Sequence, residues 1–333
     1  MAIISYLHEL FNEQKCNDYI HQLRWQDRQF QCPRCQSNNV KPWGNYHCFP
    51  GLKRYKCKGC NRTFNDKTNT VLDGCKISSK IVILSSFLLF LSSSSRRISK
   101  ETGSHISTAY HWCWYLRNAA ISYEINRQLE GIVEADEIYQ TAGSKGRCLT
   151  GKKQLNHQPR KRGKKQPPGR GHYEKDSPAI IAYVSRDAYT VIIVAKDFTI
   201  ETVQKSTDIA VKSGSVIYTD SAKSYKALSG YIHDYVNHSQ KEYVRGEVHE
   251  NRSENCFSLL RPYLDVFRGI GKANLPGYTG FFQFMRNHCK LNAFEQSEMT
   301  IHAILNPDIS NKVKKGDFVK QLDHFKLLQT MIN

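Results

Sequence analysis

Four cysteines define the first piece of chemistry this sequence could perform. Cys32-Pro-Arg-Cys35 and Cys57-Lys-Gly-Cys60 are two CxxC pairs separated by 21 residues. Each pair puts two thiolates on one tight turn, and two such turns facing each other complete a tetrahedral Zn²⁺ site. The spacing predicts one structural zinc ion, with a redox CxxC or plain buried cysteines as the alternatives. The segment between the pairs has the length of a β-hairpin, and Tyr55 and Phe64 are placed to pack around the metal. A module this small has little core, so metal binding would supply most of its folding energy. His47 and Cys48 read as packing or surface residues of the hairpin.

Carboxylates define the second. Asp136 sits inside Gly131–Tyr139, a run with apolar residues at alternate positions, and Asp220 ends the short apolar run from Ser215. An aspartate within a central strand is costly unless it meets a cation. Glu254 follows 34 positions after Asp220, in a helical segment where Leu260 and Leu264 form an i, i+4 apolar pair. Three carboxylates converging in one cleft repel each other unless divalent cations lie between them. Two Mg²⁺ (or Mn²⁺) ions about 3.5–4 Å apart would activate a water or a 3′-hydroxyl and stabilise a leaving oxygen. Each acid alone reads as an ordinary surface group; the joint pattern carries the argument. Glu137 points to the opposite sheet face by strand alternation and is given a structural role.

The elements that must position these acids follow in order. After Gly131–Tyr139 come two β-branched runs, Ser177–Arg186 and Tyr189–Asp197, then a polar helix over Ile200–Ser213. The strand Ser215–Asp220 follows, a further short strand near Tyr235–His238, and a helix opening near Glu250 and running through Arg261. This is the order of an α/β, ribonuclease H-like domain with a mixed five-stranded sheet. Composition divides the chain into a zinc-ribbon domain (1–75), a helix-turn-helix region (76–130), the catalytic domain (131–290) and a helical tail (291–333).

Charge points to the partner. Lys and Arg number 48 against 30 Asp and Glu, a formal net charge of +18, which favours a polyanion such as nucleic acid. Ten of those charges fall in Lys145–Lys175, where eleven basic residues meet one Glu amid prolines and glycines. Such a segment buries too little apolar surface to order by itself. It is either a solvated loop or a DNA-backbone contact, through Arg160, Lys161, Arg162, Lys164 and Lys165. Ser95–Arg117 reads as two helices about a turn: Gly103 suits a helix-ending position with positive φ, and Ser107 is a candidate N-cap. Ile98, Ile106, Tyr110, Trp114 and Arg117 are spaced as one apolar face, leaving Ser107, Thr108 and His111 toward a major groove. A plain helical linker is the alternative. Ile81–Leu91 is too short and serine-interrupted to span a membrane. The N-terminus lacks signal-peptide character, so the expected location is cytoplasmic, at the bacterial nucleoid.

The block His249-Glu-Asn251-Arg-Ser-Glu254-Asn-Cys-Phe-Ser258-Leu-Leu-Arg261 and Phe267-Arg-Gly269, with Val133–Tyr139 and Tyr218-Thr-Asp220, resembles the bacterial ISXO-like insertion-sequence transposases. That family joins an N-terminal zinc ribbon to a DDE-type catalytic domain. The resemblance implies that Asp136, Asp220 and Glu254 are the catalytic, Mg²⁺-holding acids. It further implies that His249, Asn251 and Arg261 are auxiliary active-site residues. Arg261 stands where lysine is usual and Phe257 where a tryptophan often precedes the serine. Implied partners are transposon terminal inverted repeats and target DNA, held by a homodimer or larger assembly. The rival functions are a non-catalytic DNA-binding protein derived from a transposase, and a ribonuclease H-like nuclease.

Overall fold

The computed structural model describes residues 12–46, 49–143, 171–236, 245, 249 and 251–322. His47, Cys48 and most of the basic loop, including Arg160, Lys161, Arg162, Lys164 and Lys165, lie outside them. Two compact units emerge, one of Met1–Ser122 with His288–Phe318 and one of Tyr123–Asn287 with Val319–Asn333.

The first unit opens on helix α1 (Glu13–Trp25), capped by the Asn12 side chain, and continues into a three-stranded antiparallel sheet. Its strands are β1 (Val40–Asn45), β2 (Lys53–Cys57) and β3 (Thr63–Phe64). Asp66 ties α1 to the chain after β3: its Oδ1 accepts from Trp25 Nε1 at 2.8 Å and lies 2.9 Å from His21 Nδ1. Helices α2 (Ser79–Phe90), α3 (Ser95–Thr102) and α4 (Ile106–Ile121) follow. The Glu13 carboxylate supplies the cap that Ser78 does not, accepting the Ser79 N–H at 2.7 Å where the helix N-terminus favours negative charge. Among the described residues no helix is long and apolar enough to cross a membrane. Helices α9 (Ala293–Leu305) and α10 (Pro307–Lys315), from the far end of the sequence, complete this unit, α9 packing on α1, α2 and α4.

The second unit is a five-stranded mixed sheet of β4 (Ile132–Tyr139), β5 (Ala179–Ser185), β6 (Thr190–Ala195), β7 (Val216–Asp220) and β8 (Ile232–Val236). Its strand order is β6-β5-β4-β7-β8, antiparallel on the β5–β6 side and parallel from β4 to β8. The ribonuclease H-like order read from the sequence is the one observed. The last strand lies at Ile232–Val236, slightly before the expected Tyr235–His238, and the helix expected over Ile200–Ser213 is α5 (Ile200–Ala210). It ends early because Val211 turns extended and bridges Leu129.

One sheet face carries the core: Val133, Ala135, Ile181, Tyr183, Ile193 and Ile217 pack with Val203 and Ala210 of α5. Helices α7 (Asn251–Asp265) and α8 (Leu275–Asn287) pack on β4, β5 and β6. β6 is an edge strand, and α8 closes part of it with side-chain amides. Gln283 Oε1 accepts the Ile192 N–H at 2.8 Å, while Asn287 both accepts from and donates to the Thr190 backbone.

A buried ion pair fixes the two ends of the basic segment. Lys272 Nζ lies 3.2 Å from Asp176 Oδ1, their side chains 13% and 6% exposed, and donates to the Tyr173 carbonyl at 2.9 Å. The Lys272 N–H also bonds the Gly143 carbonyl. Removing one partner of such a pair strands the other charge, at about 3–5 kcal/mol. Lys272→Met is therefore expected to lower the unfolding free energy by about that much in urea titration; a loss below about 1 kcal/mol would show the pair to be solvated.

Candidate functional site

The four cysteines converge. Cys57 closes β2, Cys60 follows one turn later, and Cys32 with Cys35 forms the opposing turn. Their sulfurs all lie within 4.8 Å of one another, with Cys32–Cys60 at 3.8 Å and Cys35–Cys57 at 3.6 Å. A tetrahedron around an ion with bonds of about 2.3 Å has edges of about 3.8 Å, so the donor set fits zinc. Within the cluster the Cys60 amide pulls the Cys57 thiol down, toward the thiolate a metal needs, while hydrogen bonds from the other three thiols push Cys35 up. Cys32, Tyr55, Cys57 and Phe64 form the buried centre of this module, as their spacing suggested.

The sheet's other face has a feature that sequence reading did not single out. Trp43 is 44% exposed, its ring bracketed by Lys41 Nζ at 4.8 Å and Lys56 Nζ at 4.7 Å. Lys41 and Lys56 are register partners, and Arg54 shares their face by alternation. Only the hairpin register could have found this group, because the two lysines are 15 residues apart.

In the helical pair, Gly103 adopts φ 68° at the end of α3, as its type suggested. Two expectations need correction. His105, not Ser107, caps α4: its Nδ1 accepts the Ser107 N–H at 3.3 Å, and Ser107 hydrogen-bonds the same nitrogen through its hydroxyl. The buried face of α4 runs through Ala109, Trp112, Cys113, Leu116 and Ala120, while Ile106 and Tyr110 are each 43% exposed. Of the stripe read from the sequence, Ile98 and Arg117 are buried and Trp114 is half-buried, so only its Ile106 and Tyr110 turn outward. Ser107 and His111 are exposed and Thr108 is half-buried.

The acids sit on the second unit. Glu134 is the register partner of Tyr218 across parallel strands β4 and β7, and by alternation Asp136 and Asp220, each two residues further along its strand, belong to the same sheet face. Both are half-buried, away from the core face. Asp136 Oδ1 accepts the Glu137 N–H at 2.8 Å and Asp220 Oδ1 the Ala222 N–H at 2.9 Å. Their charge is felt through the sheet: burial above all, then Glu137, Asp136 and Asp220, raise the Tyr225 hydroxyl well above its ordinary value. Glu137 pairs with Ile181 on the core face, as alternation required.

Glu254 is exposed on α7, in line with exposed Ser258 and Arg261, and Asn251 is exposed at the helix start. Among the described residues, the four cysteines are the one group of three or more Cys, His, Asp or Glu placed to hold a metal ion, and Asp136, Asp220 and Glu254 do not form such a group. Two residues absent from the sequence-based site adjoin it. Glu134 is wholly buried on the Asp136 face, 3.2 Å from His249 Nδ1, and Arg186 reaches His249 Nε2 at 3.3 Å. Strand alternation could have placed Glu134 on the Asp136 face; nothing local marked Arg186.

Comparison with known proteins gives these features a common origin. Residues 128–287 match the ISXO2-like transposase domain and residues 11–63 the transposase zinc-ribbon domain. The chain is 31% identical over 280 residues, 83% of its length and 91% of the relative's, to an uncharacterized protein in transposable element ISH50 of Halobacterium salinarum. No solved structure matches it. With a four-thiol ribbon, a five-stranded mixed sheet and both domain matches, the chain belongs to the ISXO2-like family of insertion-sequence DDE transposases.

Proposed function

We propose that the chain cuts the ends of its insertion sequence and joins the freed 3′-hydroxyl to target DNA by metal-assisted phosphoryl transfer. The observation that carries this reading is that Asp136 and Asp220 share one face of adjacent parallel strands, each two residues past the Glu134–Tyr218 register pair. Hard carboxylate oxygens on a half-buried face fit Mg²⁺ or Mn²⁺. Asp136 and Asp220, with Glu254 brought in from α7, would hold two such ions. When bound, these ions supply a water or hydroxyl nucleophile at neutral pH and stabilise the leaving oxygen. His249, Asn251 and Arg261 would line the rim, Arg261 reaching phosphate with its planar fork. One zinc ion in the ribbon would be structural.

DNA contact divides among the domains read from composition. The ribbon face of Lys41, Trp43, Arg54 and Lys56 has the size and charge of a β-ribbon reader. Ser107, Thr108 and His111 would meet a major groove from α4, and the basic segment would hold backbone without reading sequence. Two subunits pairing two ends are expected. Lys41→Ala with Lys56→Ala should reduce the slope of log affinity against log salt by about two. An unchanged slope would remove the ribbon from the interface. The test of the whole reading is DNA carrying the element's own ends: it should yield divalent-dependent 3′-hydroxyl ends and joined products. Binding without cleavage would leave a DNA-binding protein only.

A further inference from the structure

We propose that Glu134 is a positioning residue, locking the helix that carries Glu254, and His249 ahead of it, onto the strand that carries Asp136. The inference rests on the catalytic reading above. Glu134 lies in the central strand β4 with its side chain 0% exposed, between register partners Val184 and Tyr218. An ionised carboxylate so buried is strongly disfavoured unless its oxygens meet donors or opposite charge. Oε2 accepts the Arg252 N–H at 2.7 Å. Arg252 is in the first turn of α7, where backbone N–H groups have no partner within the helix and the dipole favours a negative charge. Oε1 faces His249 Nδ1 at 3.2 Å. The guanidinium of Arg186 has only protons to offer, so at 3.3 Å it makes His249 Nε2 the acceptor. The ring proton is then left on Nδ1, whose 3.2 Å approach to Glu134 Oε1 is an ion-pair contact that does not reach hydrogen-bond geometry.

The spacing gives this contact its meaning. Asp136 is two residues beyond Glu134 on the same strand face, and Glu254 is two residues beyond Arg252 on the helix. The Glu134–Arg252 bond is therefore a strut whose two feet are each two residues from an acid of the proposed centre. It sets the height of α7 against β4. A displacement of about 1 Å at a reacting centre can cost about 100-fold in rate.

The test uses the full-length chain as wild type, Glu134→Gln, Glu134→Ala and Arg186→Met. Three quantities are read: amide hydrogen exchange over 251–258 without metal or DNA, affinity for end DNA, and cleavage rate at saturating DNA. Glu134→Gln keeps an oxygen for Arg252 but loses the charge, and is expected to speed first-turn exchange severalfold. Its cleavage should fall about 10–100-fold, the range for groups that orient metal-site residues, with DNA affinity unchanged. Glu134→Ala should lose more on both counts. Arg186→Met releases His249, and the Tyr218 ring that Arg186 also covers, without touching the Glu134–Arg252 bond; it should lower cleavage while leaving first-turn exchange as in wild type. Wild-type exchange in both Glu134 variants, or cleavage by them within about threefold of wild type, overturns the proposal. If the wild type binds its ends without cleaving, the catalytic reading fails; the exchange measurement then still decides whether Glu134 anchors α7.

Discussion

Replacing Asp220 with asparagine is expected to abolish end cleavage and strand transfer while leaving DNA binding intact. The amide keeps an oxygen for the Ala222 N–H that Asp220 Oδ1 accepts at 2.9 Å, so the turn after β7 has no reason to change. What disappears is one negative charge on the sheet face that also carries Asp136. Divalent ions at such a site contribute several kcal/mol to the transition state, and about 4 kcal/mol corresponds to about a 1,000-fold loss of rate. Affinity for DNA should hold or tighten slightly, since a negative charge leaves a surface that faces phosphates. Gel shift and cleavage on the same end fragment separate the two effects. Loss of both together would mean that Asp220 serves the fold or the DNA interface rather than the chemistry.

Stripping zinc from the ribbon, by chelator or by Cys57→Ser, should have the largest effect on folding. The ribbon's buried centre is Cys32, Tyr55, Cys57 and Phe64, two of which are thiols, and its third strand is two residues long. Structural zinc sites of this kind supply about 10–16 kcal/mol of apparent binding energy, far more than a core of two aromatic rings and two thiols can replace. The expected result is rapid proteolysis between residues 32 and 64 and loss of specific end binding. The helical signal from α2, α4 and α7 should persist. A chelated chain that keeps its ribbon protected and binds its ends would show that the thiols pack without metal.

The four-thiol cluster and the two faces of β4 were legible because each rests on local rules. CxxC spacing determines which thiols share a turn. Period-two alternation places Asp136 on one face and Glu137 on the other, as the Ile181 partner of Glu137 shows. What escaped the sequence depends on contacts between distant segments. Ile106 and Tyr110 matched an apolar period, yet the helices packed against α4 select Ala109, Trp112 and Leu116. Glu134 carried no signal of its own, and its burial appears only once α7 covers the strand. Likewise Lys41 and Lys56 become neighbours of Trp43 only through the β1–β2 register.

The most direct measurement is anomalous diffraction from crystals of the chain with end DNA, grown in Mn²⁺. The account predicts manganese density between the carboxylates of Asp136 and Asp220, with Glu254 drawn to it, and none there in Asp220→Asn. Manganese bound elsewhere, with those two aspartates bare beside a correctly seated DNA end, would contradict it.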